Sequence, residues 1–129
     1  LDLMNHLKDE YNLTYLFITH DLATAKYICD RIGIMYLGKL VEVAELRELY
    51  SHPMHPYTEA LLAAVPVPDP HERREEAMPE GEIPNPINPP SGCRFHPRCP
   101  YAEAVCSQEE PAMRELRPGH RVACHFASA

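Results

Sequence analysis

Leu3 and Leu7 stand four residues apart in an otherwise polar segment, which predicts an amphipathic helix ending near Asp9. Residues 14–19, Thr-Tyr-Leu-Phe-Ile-Thr, are β-branched, aromatic and nearly continuous in apolar character. That pattern predicts a strand buried on both faces of a parallel sheet. Asp21 is then placed to cap a helix running to about Asp30, with Leu22, Ala25, Ile28, Cys29 and Ile32 on its apolar face. Two short apolar runs, residues 32–36 and 39–43, flank Leu37-Gly38 and read as a hairpin. Lys39 and Glu42 alternate only in part with Val41 and Val43, so the register of the second strand stays open.

Beyond the hairpin the pattern shortens. Residues 45–50 predict a short helix stopped by Ser51-His52-Pro53, and His55-Pro56-Tyr57 opens another, because proline suits a first helical turn. Tyr57, Leu61 and Val65 form its expected stripe, and Pro66-Val67-Pro68 its end. Residues 69–82 are charged and without period, as in a linker or exposed loop. Residues 84–90 alternate proline with Asn and Ile and predict an extended, irregular path. The expected class is α/β: helix, strand, helix and hairpin over residues 1–50, then a largely irregular extension with short helices over residues 51–129.

Composition agrees with that division. All 14 prolines lie from Pro53 onward, and four of the five cysteines fall after residue 92. A formal charge of -7 argues against nucleic-acid binding, which needs an excess of Lys and Arg to neutralise phosphates. No apolar run approaches the roughly 20 residues that span a bilayer. The chain starts Leu1-Asp2-Leu3, without an initiator Met or the flanks of a secretory signal, and reads as a piece of a longer protein.

His20 directly follows the apolar run, where ligands of open parallel sheets bind. A neutral imidazole there can accept from water or donate to a phosphate oxygen; an ordinary loop hydrogen bond is the plainer alternative. The stretch from Tyr15 through Thr19-His20-Asp21-Leu22, a helix, Asp30-Arg31-Ile32 and Met35-Tyr36-Leu37-Gly38-Lys39-Leu40-Val41-Glu42 resembles the end of an ABC-transporter ATPase domain. The resemblance implies that His20 is the switch histidine, touching the ATP γ-phosphate and helping to hold the attacking water. Within the 129 residues there is no Gly-x-x-x-x-Gly-Lys-Ser/Thr phosphate loop, no Ser-Gly-Gly-Gln signature and no strand ending in an Asp-Glu pair for magnesium. One histidine cannot replace a backbone nest and its lysine, so this polypeptide alone is expected neither to bind ATP well nor to hydrolyse it.

His52-Pro53-Met54-His55-Pro56-Tyr57-Thr58, Gly81-Glu82-Ile83-Pro84 and Asn88-Pro89-Pro90-Ser91-Gly92-Cys93 resemble the C-terminal extension of oligopeptide and dipeptide importer ATPases. On their own the two His-Pro pairs read as helix-start chemistry rather than ligands. The resemblance implies a parent with ATP and Mg²⁺ as cofactors and transmembrane permease subunits and a second ATPase subunit as partners. It further implies a place on the cytoplasmic face of the cell membrane. Exposed strand edges also invite pairing between copies of this chain.

Cys93, Cys99, Cys106 and Cys124 lack the tight Cys-x2-4-Cys knuckles of structural zinc sites. Iron–sulfur clusters accept more varied loops, and nearby Arg94, Arg98 and Arg121 would favour thiolates. Three readings compete: a 4Fe-4S cluster, which the importer resemblance also implies; zinc, with His96 or His125 replacing a cysteine; and no metal, with free thiols or disulfides. Cys29, on a helical apolar face, reads as core packing. A stand-alone metal-binding interaction domain is the alternative to a transporter subunit, and a cysteine-dependent enzyme a weak third.

Overall fold

The computed structural model describes residues 2–64 and 86–128. The expected end of the helix at Pro66-Val67-Pro68, the linker over 69–82 and the start of the proline-rich run lie outside these residues. The chain divides into two compact units, residues 1–30 and residues 31–129.

The first unit holds α1 (Asp2–Tyr11) and α2 (Leu22–Ile28). Asn12, at φ 53, ends α1 in the left-handed conformation that asparagine tolerates, and the amide of Leu13 donates back to the Lys8 carbonyl at 3.0 Å. Asp21 caps α2 as expected: its carboxylate accepts from the amides of Ala23 and Thr24 at 3.0 and 3.4 Å and from the Thr24 hydroxyl at 2.7 Å. These hydrogen bonds, the Thr24 hydroxyl first, hold the Asp21 carboxyl below its ordinary range. Ala25 and Ile28 are the buried residues of α2. Cys29, half-buried at its C-cap, has a thiol pushed up chiefly by burial.

The expected strand over residues 14–19 is absent; the segment has no regular structure, and Leu16 and Ile18 are 91% and 88% exposed. A strand exists only through its ladder, and no described residue pairs with this run. Its apolar character marks a capacity for burial that this chain does not satisfy.

The second unit is built on a four-stranded antiparallel sheet in the order β1-β2-β4-β3, from β1 (Arg31–Tyr36), β2 (Lys39–Glu45), β3 (Arg114–Arg117) and β4 (His120–Val122). The predicted hairpin is β1–β2. Its two turn residues, Leu37 and Gly38, both have positive φ, 45° and 78°, as the primed turns of two-residue hairpins require. Leu37 adopts this conformation at a cost, and Arg94 donates to its carbonyl from the far end of the chain. The extension is therefore less irregular than the sequence suggests: β4 pairs directly with β2, Glu42 opposite Val122 and Val43 opposite Arg121. The hairpin, from before residue 50, shares one sheet with strands from well beyond it.

The open register of β2 is resolved by a bulge. Ile34 faces Glu42 and Met35 faces Leu40, so Val41 is the extra residue. Val41 and Glu42 are buried consecutively. The short helices follow: α3 (Leu46–Ser51), α4 (Pro56–Ala63), a 3₁₀ turn at His96–Arg98, and α5 (Ala104–Gln108). Pro56 opens α4 as predicted, with His55 as the N-cap. The face of α4 differs from the expected stripe: Thr58 and Ala60 are buried, while Tyr57 and Leu61 are half-buried. The core is an aromatic group in which Phe95, 1% exposed, meets Tyr36, Tyr57 and the His55 ring at centroid distances of 5.3, 5.4 and 5.7 Å.

Candidate functional site

The chain from Ser91 to Cys106 folds back on itself around Gly92. The Cys93 amide donates to the Cys106 carbonyl at 2.7 Å, and the Ser91 hydroxyl to the Ser107 carbonyl at 2.8 Å. A Cβ at Gly92 would stand 2.4 Å from the Cys106 carbonyl oxygen, and the residue has φ 70°. Only glycine allows this approach, and the approach brings Cys93 and Cys106 together. The 3₁₀ turn then carries the chain to Cys99, and β4 delivers Cys124 just beyond its end.

All four cysteines, Cys93, Cys99, Cys106 and Cys124, line one cavity of about 370 Å³, walled also by His55, Phe95, His96 and His125. Burial pushes the thiols of Cys93 and Cys99 up, and each is raised further by the negative charge the other cysteines would carry. The sequence expectation that nearby arginines favour the thiolates is not met at these two sites. Arg94 donates to the Leu37 carbonyl, Arg98 to the Tyr36 hydroxyl at 3.5 Å, and Arg121 is exposed on β4.

Among the described residues, no three His, Cys, Asp or Glu side chains stand together as a metal-holding set. The cysteines are neighbours around a cavity rather than a formed coordination shell. Their chemistry nonetheless fits a soft, positively charged centre, because four neighbouring thiolates, Cys106 buried and the others half-buried, lose their mutual repulsion when a cation takes the charge. The flanking histidines have defined tautomers. His96 Nδ1 lies 2.6 Å from the Cys93 carbonyl and His125 Nε2 2.8 Å from that of Glu109, so each donates there and leaves its other nitrogen with a lone pair.

His55 is 1% exposed. Its Nδ1 accepts from the Tyr57 amide at 3.0 Å, which places the ring proton on Nε2, and Nε2 is buried without a partner. Burial alone lowers its pKa to about 4. The second histidine of the two His-Pro pairs is thus a cap, as read, and also a neutral donor at the cavity. His52 is instead exposed, 3.8 Å from Glu48.

A second constellation escaped the sequence reading. Glu42, fully buried, accepts from the Met54 amide at 3.0 Å, the His55 amide at 2.8 Å and His120 Nε2. His120, also fully buried, presents Nδ1 to Glu48 at 3.2 Å, and Glu48 pairs with Arg117. Each ring nitrogen of His120 thus faces a carboxylate oxygen. The His120 hydrogen bond, followed by Arg117, holds the Glu48 carboxyl below its ordinary range. This network ties β2, α3, the start of α4 and β3–β4 together. Its signals were a glutamate among Leu40, Val41 and Val43 and a histidine after the Pro118-Gly119 turn; neither announces a partner 78 residues away.

His20 lies in the other unit, exposed and outside any helix or strand. Its charge is a minor influence lowering Asp21.

Comparison with known proteins gives the family to which this small antiparallel sheet and its cysteine-lined extension belong. Residues 41–106, just over half of the chain, match the oligopeptide/dipeptide transporter C-terminal region, and the chain belongs to that family. It is 50% identical over 99% of its length to the oligopeptide transport ATP-binding protein AppF of Bacillus subtilis. It is 50% identical over 98% to the putative oligopeptide transport ATP-binding protein YkfD of the same organism, and 51% over 96% to a putative peptide import ATP-binding protein of Brucella ovis. The chain spans about two fifths of the length of these relatives, 39–40%.

Proposed function

We propose that this chain supplies the C-terminal part of an ATP-binding subunit that energises peptide import by an ABC transporter. About 50% identity, over nearly all of this chain, to peptide-transport ATP-binding proteins supports this most directly. In the whole subunit, ATP and Mg²⁺ are held by segments that the 129 residues do not contain, and His20 senses the γ-phosphate. Transmembrane permease subunits and a second ATPase subunit are the partners, at the cytoplasmic face of the membrane. No helix among the described residues is long and apolar enough to cross a bilayer. The chain alone does not turn over ATP. Residues 13–19, with Leu16 and Ile18 exposed, are the segment through which copies of the isolated chain associate.

The extension, in this reading, holds a metal centre on Cys93, Cys99, Cys106 and Cys124, a 4Fe-4S cluster in preference to zinc. The single supporting observation is that cysteines up to 31 positions apart line one cavity. The centre's role is structural or regulatory: a cross-link for a segment poor in apolar residues. The test is anaerobic purification of the chain followed by iron and zinc analysis and an absorption spectrum. A band near 400 nm, lost in Cys99→Ser, is expected. Stoichiometric zinc without the band would overturn the cluster, and no bound metal would overturn the site.

A further inference from the structure

Every polar group of a buried residue needs a partner, and a buried orphan donor asks what it is meant to meet. His55 Nε2 is such a donor. Its ring is 1% exposed, its Nδ1 is committed to the α4 N-terminus, and it lines the cavity of the four cysteines. The ring is held from three sides. Phe95 packs against it, the residue's own amide is anchored on Glu42, and Pro56 fixes the turn that follows. Such a ring cannot swing away to find water. The tautomer is fixed by geometry: an Nδ1 that accepts leaves the proton on Nε2.

We infer that His55 is a positioning residue for the occupant of the cysteine cavity, donating its Nε2–H to a sulfur of the thiolate-bound centre. This inference rests on the four-cysteine reading above. The physical consequence is defined. A hydrogen bond to a ligating sulfur stabilises the more negative state of the centre, so its loss lowers the reduction potential. The His-Pro-Tyr segment then has two functions in one side chain. One nitrogen starts a helix and the other presents a proton to the cavity.

Two substitutions separate these functions. His55→Asn keeps an oxygen able to cap α4 but removes the distal donor. His55→Gln keeps an amide donor near the Nε2 position. In the full chain loaded with iron and sulfide, His55→Asn is expected to disfavour the reduced centre about tenfold, ~59 mV for a one-electron couple. His55→Gln is expected to recover part of that shift. A purely structural role would lower iron content in both variants and leave the potential of the loaded fraction unmoved, overturning the inference. Should His55→Asn fail to fold, wild-type protein carries the test: an exchangeable proton coupled to the reduced centre supports the assignment, and its absence overturns it. If the chain loads zinc instead, cobalt replacement reports the same contact. A thiolate-to-cobalt band unshifted in His55→Asn would then refute it. A chain that binds no metal sinks the four-cysteine reading, whereas a loaded chain indifferent to His55 sinks this inference alone.

Discussion

Residues 1–30 hold no proline and residues 31–129 hold all 14, and the two regions end in different states. In the first, α1 forms and α2 carries its Asp21 cap, but only Ala25 and Ile28 are buried among its described residues, and Leu16 and Ile18 remain in solvent. In the second, fully buried Glu42 and His120 sit beside Phe95, Leu49 and Val122. Local signals suffice for helices, which satisfy their own backbone. Strands and buried charge need partners from elsewhere, and only the second region supplies them.

The sharpest way to break that contrast is Glu42→Ala. It leaves the Met54 and His55 amides and His120 buried without their acceptor. A loss of roughly 3–5 kcal/mol is expected for breaking a buried ionic pair. Urea denaturation followed by circular dichroism should show residues 31–129 largely unfolded, while the helical signal of α1 and α2 persists. Retention of the wild-type midpoint would mean that the network is not what joins the sheet.

Acid should act on the same region. His55 is neutral when folded, with a pKa of about 4 against an ordinary 6.5. Between these values the unfolded chain binds the extra proton, so stability is full above about pH 6.5 and falls as pH drops towards 4. The loss is about 3 kcal/mol from the 2.5-unit gap. Glu48, whose folded carboxyl is held low, adds stability that is lost further as pH falls below its ordinary 4.5. In metal-free protein, denaturation midpoints at pH 7 and pH 5 measure the slope, and His55→Asn should flatten it. An unchanged slope in that variant would remove His55 as its source.

The smallest effect belongs to the first region. Asp21→Ala removes the cap of α2 and should cost about 1 kcal/mol. Amide exchange at Ala23 and Thr24 should quicken without any change at β1–β2. Quickened exchange throughout residues 31–129 would show that the two regions are energetically coupled.

Much of this was legible beforehand. The Leu37-Gly38 turn, the Asp21 cap and the proline start of α4 each depend on a few adjacent residues, and each stands where the pattern put it. The site was half legible: four cysteines announced themselves by type, but their convergence depends on Gly92 lying against the Cys106 carbonyl. The same limit explains residues 14–19, where a strand-like composition meets no partner, and Glu42, whose burial follows from the bulge at Val41.

The sequence by itself determined the family, the starts of α2 and α4, the hairpin turn, and the kind of chemistry four clustered cysteines can do. All of these are read from neighbours along the chain. The tertiary structure alone decided that β3–β4 completes the hairpin's sheet, that Glu42 and His120 meet in the interior, and that His55, its Nε2 buried without a partner, stands in the wall of the cysteine cavity. Those outcomes rest on contacts between residues dozens of positions apart, where pairing geometry rather than residue type selects the partner.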